Sequence, residues 1–259
     1  MSTGQGSGVV RDALDVPERR TGNDALAVRD VIDAGDGCAP FTLRVLRAVR
    51  GRSFEQRTEG SEELLFVLRG AGEVIIDDVH VAVGAQTGVA VRPRARYELH
   101  NESVGEDLEV LAVALHDPEP APDDAPVVSR LADAERRAAT GARTFRIVFD
   151  ADHGCPSATQ FVGEIPVGAA PEHYHLYEEV IYVLDGTGVM HMNGRQTPLR
   201  AGSCIHLPPR KVHILENSGP DVMRVLGVFR PAGSPAAAFY PDGTPAYTAD
   251  ETQAAPAAP

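Results

Sequence analysis

The chain has 259 residues, 43% of them hydrophobic, so it can bury one large core or two small ones. Its formal net charge of −13 argues against nucleic acid or an anionic membrane as a partner, because both require clustered Lys and Arg. Three cysteines without close spacing (Cys38, Cys155 and Cys204) predict reduced thiols, not a disulfide framework or a zinc knuckle.

The first 22 residues are rich in Gly, Ser, Thr and charged residues, so we expect this segment to be flexible unless it docks. Met1–Arg20 contains no apolar core of the kind found in signal peptides, and no apolar run in the chain approaches membrane-spanning length. We therefore expect a cytoplasmic protein that binds neither nucleic acid nor a membrane.

From residue 25 the sequence changes to short apolar runs separated by Gly and charged residues. Examples are Phe41–Leu46, Leu64–Leu68 and Glu73–Ile76. Short strands at regular spacing, with turn signals between them, indicate an all-β barrel or sandwich.

The middle and the end of the chain differ in composition from these strands. Residues 117–126 are rich in Pro and acidic residues, which is typical of a semi-rigid, solvated linker. Leu131–Thr140 has helical propensity and stops before Gly141, a possible C-cap, so it predicts one short helix. From Gly233 the chain is rich in Ala and Pro, and we expect its last ten residues to be disordered.

The two halves of the sequence are related by an internal repeat. Residues 31–38 recur as 148–155, and residues 63–72 recur as 179–188. Position 38 corresponds to 155 and position 63 to 179, so the offset stays at 117 to 116 residues. A constant offset of this kind indicates that one β unit has been duplicated.

The most informative segment is Pro171–Glu179, with the sequence PEHYHLYEE. In a strand, side chains two apart share a face, so His173 and His175 point the same way. Glu179 keeps that parity if the extended backbone continues. Two imidazoles and a carboxylate from one short segment suit a divalent metal, although a His-x-His pair also occurs as two surface histidines. The next run, Val180–Leu184, is typical of a buried strand.

These residues resemble the two motifs of the cupin family. The first motif, Gly-x5-His-x-His-x3-4-Glu-x6-Gly, is met by His173, His175, Glu179 and Gly186, and the second, Gly-x5-Pro-x-Gly-x2-His-x3-Asn, by Gly202, Pro208, His213 and Asn217. Two departures stand out. Gly168 lies one residue too close to the first histidine, and Arg210 occupies a glycine position, so that turn is expected to differ in backbone shape.

The resemblance covers nearly all of residues 25–232 and implies an all-β chain of two tandem cupin barrels, each a double-stranded β-helix or jelly roll. The predicted organisation is a flexible N-terminus at 1–22, an N-terminal barrel at 23–117, a Pro-rich linker with the short helix at 118–140, a C-terminal barrel at 141–232 and a tail at 233–259. Cupin barrels commonly associate through their sheets, so the resemblance also implies a homodimer.

The resemblance further implies a metal site in the C-terminal barrel, with His173, His175, Glu179 and His213 as ligands. Three imidazole nitrogens and one carboxylate oxygen suit one divalent transition metal per chain. Fe(II) or Mn(II) is favoured, and Ni, Co, Cu or Zn would also fit. A closed structural zinc site would more often use thiolates.

The equivalent positions of the N-terminal half carry different chemistry. They are occupied by Arg57, Glu59, Glu63 and Tyr97. An arginine among the ligand positions repels a cation and can instead pair with one of the glutamates, so we expect this barrel to be structural and free of metal. The alternative is that Arg57, Arg94 and Tyr97 bind a small carboxylate.

Three further residues are candidate catalytic groups, and no residues that bind an organic cofactor are predicted. Glu164 lies on a strand ahead of the first motif and could transfer a proton. Tyr177 could place a hydroxyl near a ligand, and His206 lies on the strand that approaches Pro208. The ordinary structural roles are a solvated face for Glu164, a core aromatic for Tyr177 and a hydrogen-bonded strand residue for His206.

An open metal site of this kind allows three functions. The one we predict is a dioxygenase-type oxidoreductase acting on a small organic molecule that chelates the metal. The second is a redox-neutral isomerase or lyase that uses the metal as a Lewis acid. The third is a non-catalytic protein that binds a small molecule. Because cupins of this type include all three, the choice among them rests on analogy.

Overall fold

The computed structural model describes residues 6–22, 24–122, 127–139 and 142–246, and most of the regular structure there is β-strand. The helices in these ranges are four 3-10 turns of three residues each, Ala13–Asp15, Ala34–Asp36, Leu131–Asp133 and Ala151–His153. No helix within this part of the chain is long and apolar enough to cross a bilayer. The predicted all-β fold is confirmed.

The N-terminal barrel is formed by two sheets. One has the strand order β13-β10-β7-β12-β4-β3-β2, and the other has the order β5-β11-β8-β9, with β6 also paired to β11. The strands are β2 (Arg19–Arg20), β3 (Leu26–Ile32), β4 (Phe41–Ala48), β5 (Gly51–Arg52), β6 (Gln56–Arg57), β7 (Glu62–Arg69), β8 (Ala71–Ile76), β9 (Val79–Gly84), β10 (Thr87–Val91), β11 (Arg96–Asn101), β12 (Leu108–Leu115) and β13 (Val128–Arg130).

The C-terminal barrel repeats this plan. Its sheets have the orders β1-β21-β18-β23-β16-β15-β14 and β17-β22-β19-β20. The strands are β1 (Val9–Asp12), β14 (Arg137–Ala138), β15 (Thr144–Phe149), β16 (Thr159–Ile165), β17 (Gly168–Ala169), β18 (Glu178–Asp185), β19 (Thr187–Met192), β20 (Arg195–Arg200), β21 (Ser203–Leu207), β22 (His213–Asn217) and β23 (Met223–Arg230).

In each barrel, one edge strand of the larger sheet comes from the segment that precedes the other barrel in the chain. Strand β1 (Val9–Asp12) pairs antiparallel with β21 of the C-terminal barrel, and β13, which lies within the predicted linker at 118–140, pairs antiparallel with β10 of the N-terminal barrel. Residues 9–12 of the N-terminal segment thus dock on the C-terminal barrel, so the flexibility expected of an undocked segment does not apply to them. This exchange joins the two barrels on both sides.

The segment predicted as a short helix is not an α-helix. Leu131–Asp133 forms a 3-10 turn, and Arg137–Ala138 then pairs with β15. Leu131 is buried, and sheet pairing with the barrel outweighs the local helical propensity of the sequence. Thr140 and Gly141, and the last ten residues that were predicted to be disordered, lie outside the described residues.

The central strands are buried on both faces, which explains why they are continuously apolar. In β7, Leu64 and Phe66 belong to the core between the barrels, whereas Leu65 and Val67 fill the barrel interior. Strand β18 behaves in the same way, with Val180 in the core between the barrels and its neighbours at 181 and 183 inside the barrel. Strand parity therefore decides which side chains face the interior of each barrel and which face the other barrel.

Candidate metal centre and cavity

The three motif histidines are brought together by backbone pairing and strand parity. His173 and His213 form an isolated antiparallel bridge, with N···O distances of 3.2 Å from His173 N to His213 O and 2.9 Å in the reverse direction. The ring centroids lie 4.4 Å apart for His173 and His213, 5.0 Å for His173 and His175, and 5.4 Å for His175 and His213. One ring nitrogen of each lies within 4.8 Å of the corresponding atoms of the other two.

The second nitrogen of each ring is held by the backbone. Nδ1 lies 2.9 Å from a carbonyl oxygen in all three cases, namely Pro171 O for His173, Ala237 O for His175 and Lys211 O for His213. A carbonyl can only accept, so Nδ1 carries the proton and Nε2 keeps its lone pair. Metal-binding histidines are oriented by this kind of hydrogen bond.

The electrostatic surroundings keep these imidazoles neutral. Burial lowers the pKa of His173, His175 and His213, and the positive charge of Arg143 lowers all three further. For His175 the pKa falls to about 3. Three neutral rings with converging lone pairs form a site that a cation would satisfy.

Glu179 lies on the wall of the same cavity, beside the histidines. Its side chain is buried, and burial raises the pKa of its carboxyl to about 8. Among the described residues, none donates a hydrogen bond to this carboxyl. A Cβ added at Gly227 would come within 3.0 Å of Glu179 Oε1, so the glycine leaves room for the carboxyl. Its oxygen is not among the ligand atoms that lie within 4.8 Å of one another.

The cavity has a volume of about 480 Å³ and mostly apolar walls. Phe161 and Ile181 contribute from the barrel, and Ala238 and Tyr240 contribute from the segment after it. The Ala- and Pro-rich composition of this segment predicts only a tail. The backbone of Phe239 pairs with that of Tyr174 through two 2.9 Å hydrogen bonds, so the segment closes one side of the cavity.

Arg143 is a functional candidate that sequence analysis missed. It lines the cavity and donates a 2.7 Å hydrogen bond from Nη2 to the carbonyl of Leu215. No carboxylate lies within ion-pair distance of it among the described residues. Burial lowers the pKa of its guanidinium. A partly buried cation without a counter-ion favours an anionic ligand, but nothing in the sequence around Arg143 indicates that it faces the histidines.

Two of the three predicted catalytic residues lie at the cavity, and both have structural partners. Glu164 accepts a 2.9 Å hydrogen bond from Thr144 and pairs with Arg136. Tyr177 stacks between His175, at 4.6 Å, and Phe229, at 3.9 Å, and burial raises the pKa of its phenol well above its usual value.

The structure does not bring the third, His206, to the cavity. Its neighbours Ile205 and Leu207 face the interior of the C-terminal barrel, so parity directs His206 toward the other barrel. There, its Nε2 lies 2.8 Å from a carboxylate oxygen of Glu178.

Arg210 stands where the second motif has a glycine, and its backbone is in the left-handed region. Arg210 has φ 62°, and Arg94, at the equivalent position of the first barrel, has φ 66°. Both arginines adopt the left-handed conformation that glycine favours. The left-handed conformation costs a non-glycine residue about 1–2 kcal/mol, and the 2.7 Å hydrogen bond from Arg210 N to His175 O forms in this conformation.

In the N-terminal barrel, the predicted Arg57, Arg94 and Tyr97 do not converge. Arg57 and Arg94 are exposed, and Arg57 pairs with Glu55, whereas Tyr97 is buried and donates a 2.7 Å hydrogen bond to Glu63. The arginine that pairs with Glu63 is Arg44 on β4. Glu59 lies exposed in a turn.

Comparison with known proteins extends these observations. The sequence model of the family described as "Cupin domain" matches residues 161–229. An uncharacterized protein of Methanocaldococcus jannaschii, MJ1618, is 32% identical over 65 residues, which are 24% of this chain and 51% of that protein. The chain therefore spans about half the length of this curated relative.

Solved structures resemble the chain over most of its length. An oxalate decarboxylase of Bacillus subtilis gives a TM-score of 0.71 at 14% identity, and the match covers 90% of this chain and 79% of the decarboxylase. The protein Ylba of E. coli gives a TM-score of 0.70 at 13% identity, and the match covers 88% of this chain and 92% of Ylba. A putative glyoxylate induced protein of Pseudomonas aeruginosa gives a TM-score of 0.69 at 17% identity, and the match covers 86% of this chain and 88% of that protein.

At these identities the neighbours establish the fold, and both halves of the chain take part in it. The family match covers the barrel that carries the histidine cluster. The C-terminal barrel therefore matches a cupin domain, and the chain as a whole shares the two-barrel fold of these solved structures.

Proposed function

We propose that the chain is a metal-dependent enzyme in which His173, His175, His213 and Glu179 hold one divalent transition metal. The observation that carries this proposal is the convergence of three imidazole rings whose Nδ1 atoms are all held by backbone carbonyls. One ring nitrogen of each histidine lies within 4.8 Å of the other two, so a cation between these neutral rings could be bound by all three. The buried Glu179 carboxyl, to which the described residues supply no paired cation, would supply a fourth ligand.

The reaction we propose is of the dioxygenase type. Three nitrogen donors and one oxygen donor suit Fe(II) or Mn(II) and leave coordination positions open to the cavity. When bound, a redox-active metal would supply the electrons that activate dioxygen toward an organic substrate. The chain's own contribution is orientation and exclusion of water, because the walls are mostly apolar and Tyr177 holds the ring of His175 by stacking.

The proposed substrate class is small organic acids. Arg143 faces the same cavity and has no carboxylate partner among the described residues, so its guanidinium can bind a substrate carboxylate. The apolar walls would then contact the carbon skeleton of the acid. A volume of about 480 Å³ suits a small molecule and excludes a polymer.

A redox-neutral lyase is the second candidate. The names of two structural neighbours, oxalate decarboxylases from Bacillus subtilis and Lactobacillus farciminis, favour it. Glu164 lies at the edge of the cavity and could transfer a proton in such a reaction. In this case Arg143 would play the same role, because both candidates act on an acid.

Oxygen uptake separates these candidates. Protein loaded with Fe(II), and separately with Mn(II), would be mixed with a panel of small 2-oxo, 2-hydroxy and phenolic acids while dissolved oxygen and products are measured. We expect oxygen to be consumed with at least one acid, and His173→Ala to abolish uptake. Turnover under strict anaerobiosis would instead support the lyase, and binding without product would support a non-catalytic protein.

Arg143 provides the control for the substrate class. Arg143→Met should raise KM for the active acid by about 30-fold or more, since removing one partner of a buried charge pair costs about 2–5 kcal/mol. Arg143→Lys should recover part of this loss. Equal KM values for wild-type and Arg143→Met proteins would exclude the acid as the group that Arg143 binds.

A further inference from the structure

A second cluster of ligand-type side chains lies outside the cavity, where the two barrels meet. It consists of Cys38 from the N-terminal barrel and of Glu178 and His206 from the C-terminal barrel. One ligand atom of each lies within 4.8 Å of the other two. These residues have no part in the function proposed above.

Strand parity places two members of this cluster. Glu178 precedes Glu179 on β18, so it faces the opposite side of the sheet, toward the N-terminal barrel. His206 on β21 is directed to the same side, and its backbone is enclosed between β1 and β18.

Cys38 reaches the cluster from the other barrel. It follows the 3-10 turn Ala34–Asp36, and Gly37 ends this turn in the left-handed conformation with φ 84°. The backbone N–H of Cys38 donates a 3.3 Å hydrogen bond to Asp33 O. The thiol thus follows directly after a hydrogen-bonded and capped turn.

His206 has an unsatisfied nitrogen in the interior of the protein. Its side chain is 0% exposed, and Nε2 lies 2.8 Å from Glu178 Oε1. Nδ1 has no hydrogen-bond partner among the described residues. A buried polar atom without a partner costs about 1–3 kcal/mol, so His206 is kept in the interior at a cost to stability, which calls for a functional explanation.

The internal repeat supplies a matched comparison at the other side of the interface. Cys155 corresponds to Cys38, and its Sγ donates a 3.5 Å hydrogen bond to Glu62, which corresponds to Glu178. There the protein provides its own cation, because Arg92 pairs with Glu62. The position equivalent to His206 is Ala90. One half of the duplicated interface therefore has an arginine, and the other half has an imidazole with a bare nitrogen.

We propose that Cys38, Glu178 and His206 form a second metal site, which binds Zn(II) or a similar borderline divalent cation and links the two barrels. One sulfur, one nitrogen and one oxygen donor match the ligands that proteins use for zinc. On binding, the thiol proton is released to solvent and the thiolate becomes the ligand. Glu178 is only half-buried, so water can reach the fourth position of a tetrahedron.

The geometry requires only a small adjustment. In a tetrahedral zinc site with bonds of about 2.0–2.1 Å, nitrogen and oxygen ligands lie about 3.3 Å apart. His206 Nε2 and Glu178 Oε1 are 2.8 Å apart, so use of these two atoms requires them to separate by about half an ångström. The half-buried glutamate side chain can make this shift by rotation about its own bonds.

Cobalt(II) absorption provides the test, because only the second site contains a thiolate. Metal-free, full-length protein would be titrated with Co(II), and we expect thiolate-to-cobalt charge-transfer absorption in the near ultraviolet. Cys38→Ser should abolish this band, and His206→Gln should weaken Co(II) binding at the thiolate site at least tenfold. Cys155→Ser and Cys204→Ser are the matched controls and should keep the band.

The double variant His173→Ala/His213→Ala separates this proposal from the proposed function. It removes two histidines of the cavity and should leave the thiolate band unchanged. Zn(II) should also raise the Tm of this double variant but not that of the triple variant Cys38→Ser/His173→Ala/His213→Ala, which lacks both sites. Absence of the band from wild-type protein, or its persistence in folded Cys38→Ser or His206→Gln protein with unchanged affinity, would overturn the proposal.

Discussion

In both barrels a glutamate near the start of the same central strand points into the interior, Glu63 on β7 and Glu179 on β18. The partners differ. Glu63 accepts a hydrogen bond from Tyr97 and pairs with Arg44, whereas His213 and Phe161 occupy the equivalent positions beside Glu179. A buried carboxylate requires a compensating positive charge. In the first barrel a side chain supplies that charge, and in the second a bound metal would supply it.

The largest expected effect comes from giving the second barrel the arginine of the first. Phe161→Arg places a guanidinium where Arg44 stands in the repeat. A unit charge about 5 Å from a divalent cation repels it by roughly 6 kcal/mol at an effective dielectric constant of about 20. Metal affinity should therefore fall by at least about a thousandfold, as measured by competition with a coloured chelator.

Phe161→Leu is the control for this substitution, because it keeps the wall apolar and adds no charge. Its metal affinity should stay within about threefold of the wild-type value. If folded Phe161→Arg protein binds metal as tightly as wild-type protein does, the difference between the barrels does not reside in this pair of positions, and the role assigned to Arg44 fails.

Sequence reasoning identified the histidines because they are close in the chain or belong to a spaced motif. His173 and His175 share a face through simple strand alternation, and the internal repeat indicated that the first half lacks them. Arg44 escaped notice because it lies 19 residues from Glu63 on a different strand, and only the register of the folded sheet brings them together. The same reason applies to Arg143, which meets the histidines only across the barrel.

His206 was a candidate for the cavity but faces the other barrel, and the parity of β21 explains this difference. From sequence alone, His206 could face either side of its strand, and both sides are buried. The exchange of β1, which covers that strand, could not be foreseen, because the pairing joins residues almost 200 positions apart. Long-range pairing of this kind has no local sequence signal.

The second expected effect concerns the stability of the first barrel. Arg44→Met removes the cation that pairs with Glu63 and, among the described residues, leaves the Tyr97 hydroxyl as the partner of the buried carboxylate. Breaking a buried ion pair from one side costs about 3–5 kcal/mol. Urea denaturation should show a loss of this size, while metal affinity in the second barrel stays unchanged.

Arg57→Met tests the same chemistry at an exposed position. Arg57 pairs with Glu55 at the surface, so its replacement should change the free energy of unfolding by less than about 1 kcal/mol. Equal losses for Arg44→Met and Arg57→Met would mean that the Arg44–Glu63 pair does not compensate a buried charge. The contrast between the two barrels would then rest on the histidines alone.

The third expected effect, which builds up gradually with pH, is the pH dependence that Glu179 gives to the metal-free protein. Burial raises the pKa of its carboxyl from 4.5 to about 8, so the folded state holds a proton that the unfolded state releases. This contribution to stability is complete below about pH 4.5 and is lost as the pH rises through about 8. Between pH 5 and 7 the loss should be at most about 1.4 kcal/mol per pH unit.

Glu179→Gln removes this titration and leaves every other titrating group in place. The difference in unfolding free energy between wild-type and Glu179→Gln proteins, measured by urea denaturation in the presence of a chelator, isolates the contribution of Glu179, because the histidines titrate in both. That difference should change steadily in favour of the variant as the pH rises from 5 to 8. A difference that stays constant over this range would show that Glu179 is ionised without metal, so a cation already present in the protein must compensate it, as Arg44 compensates Glu63.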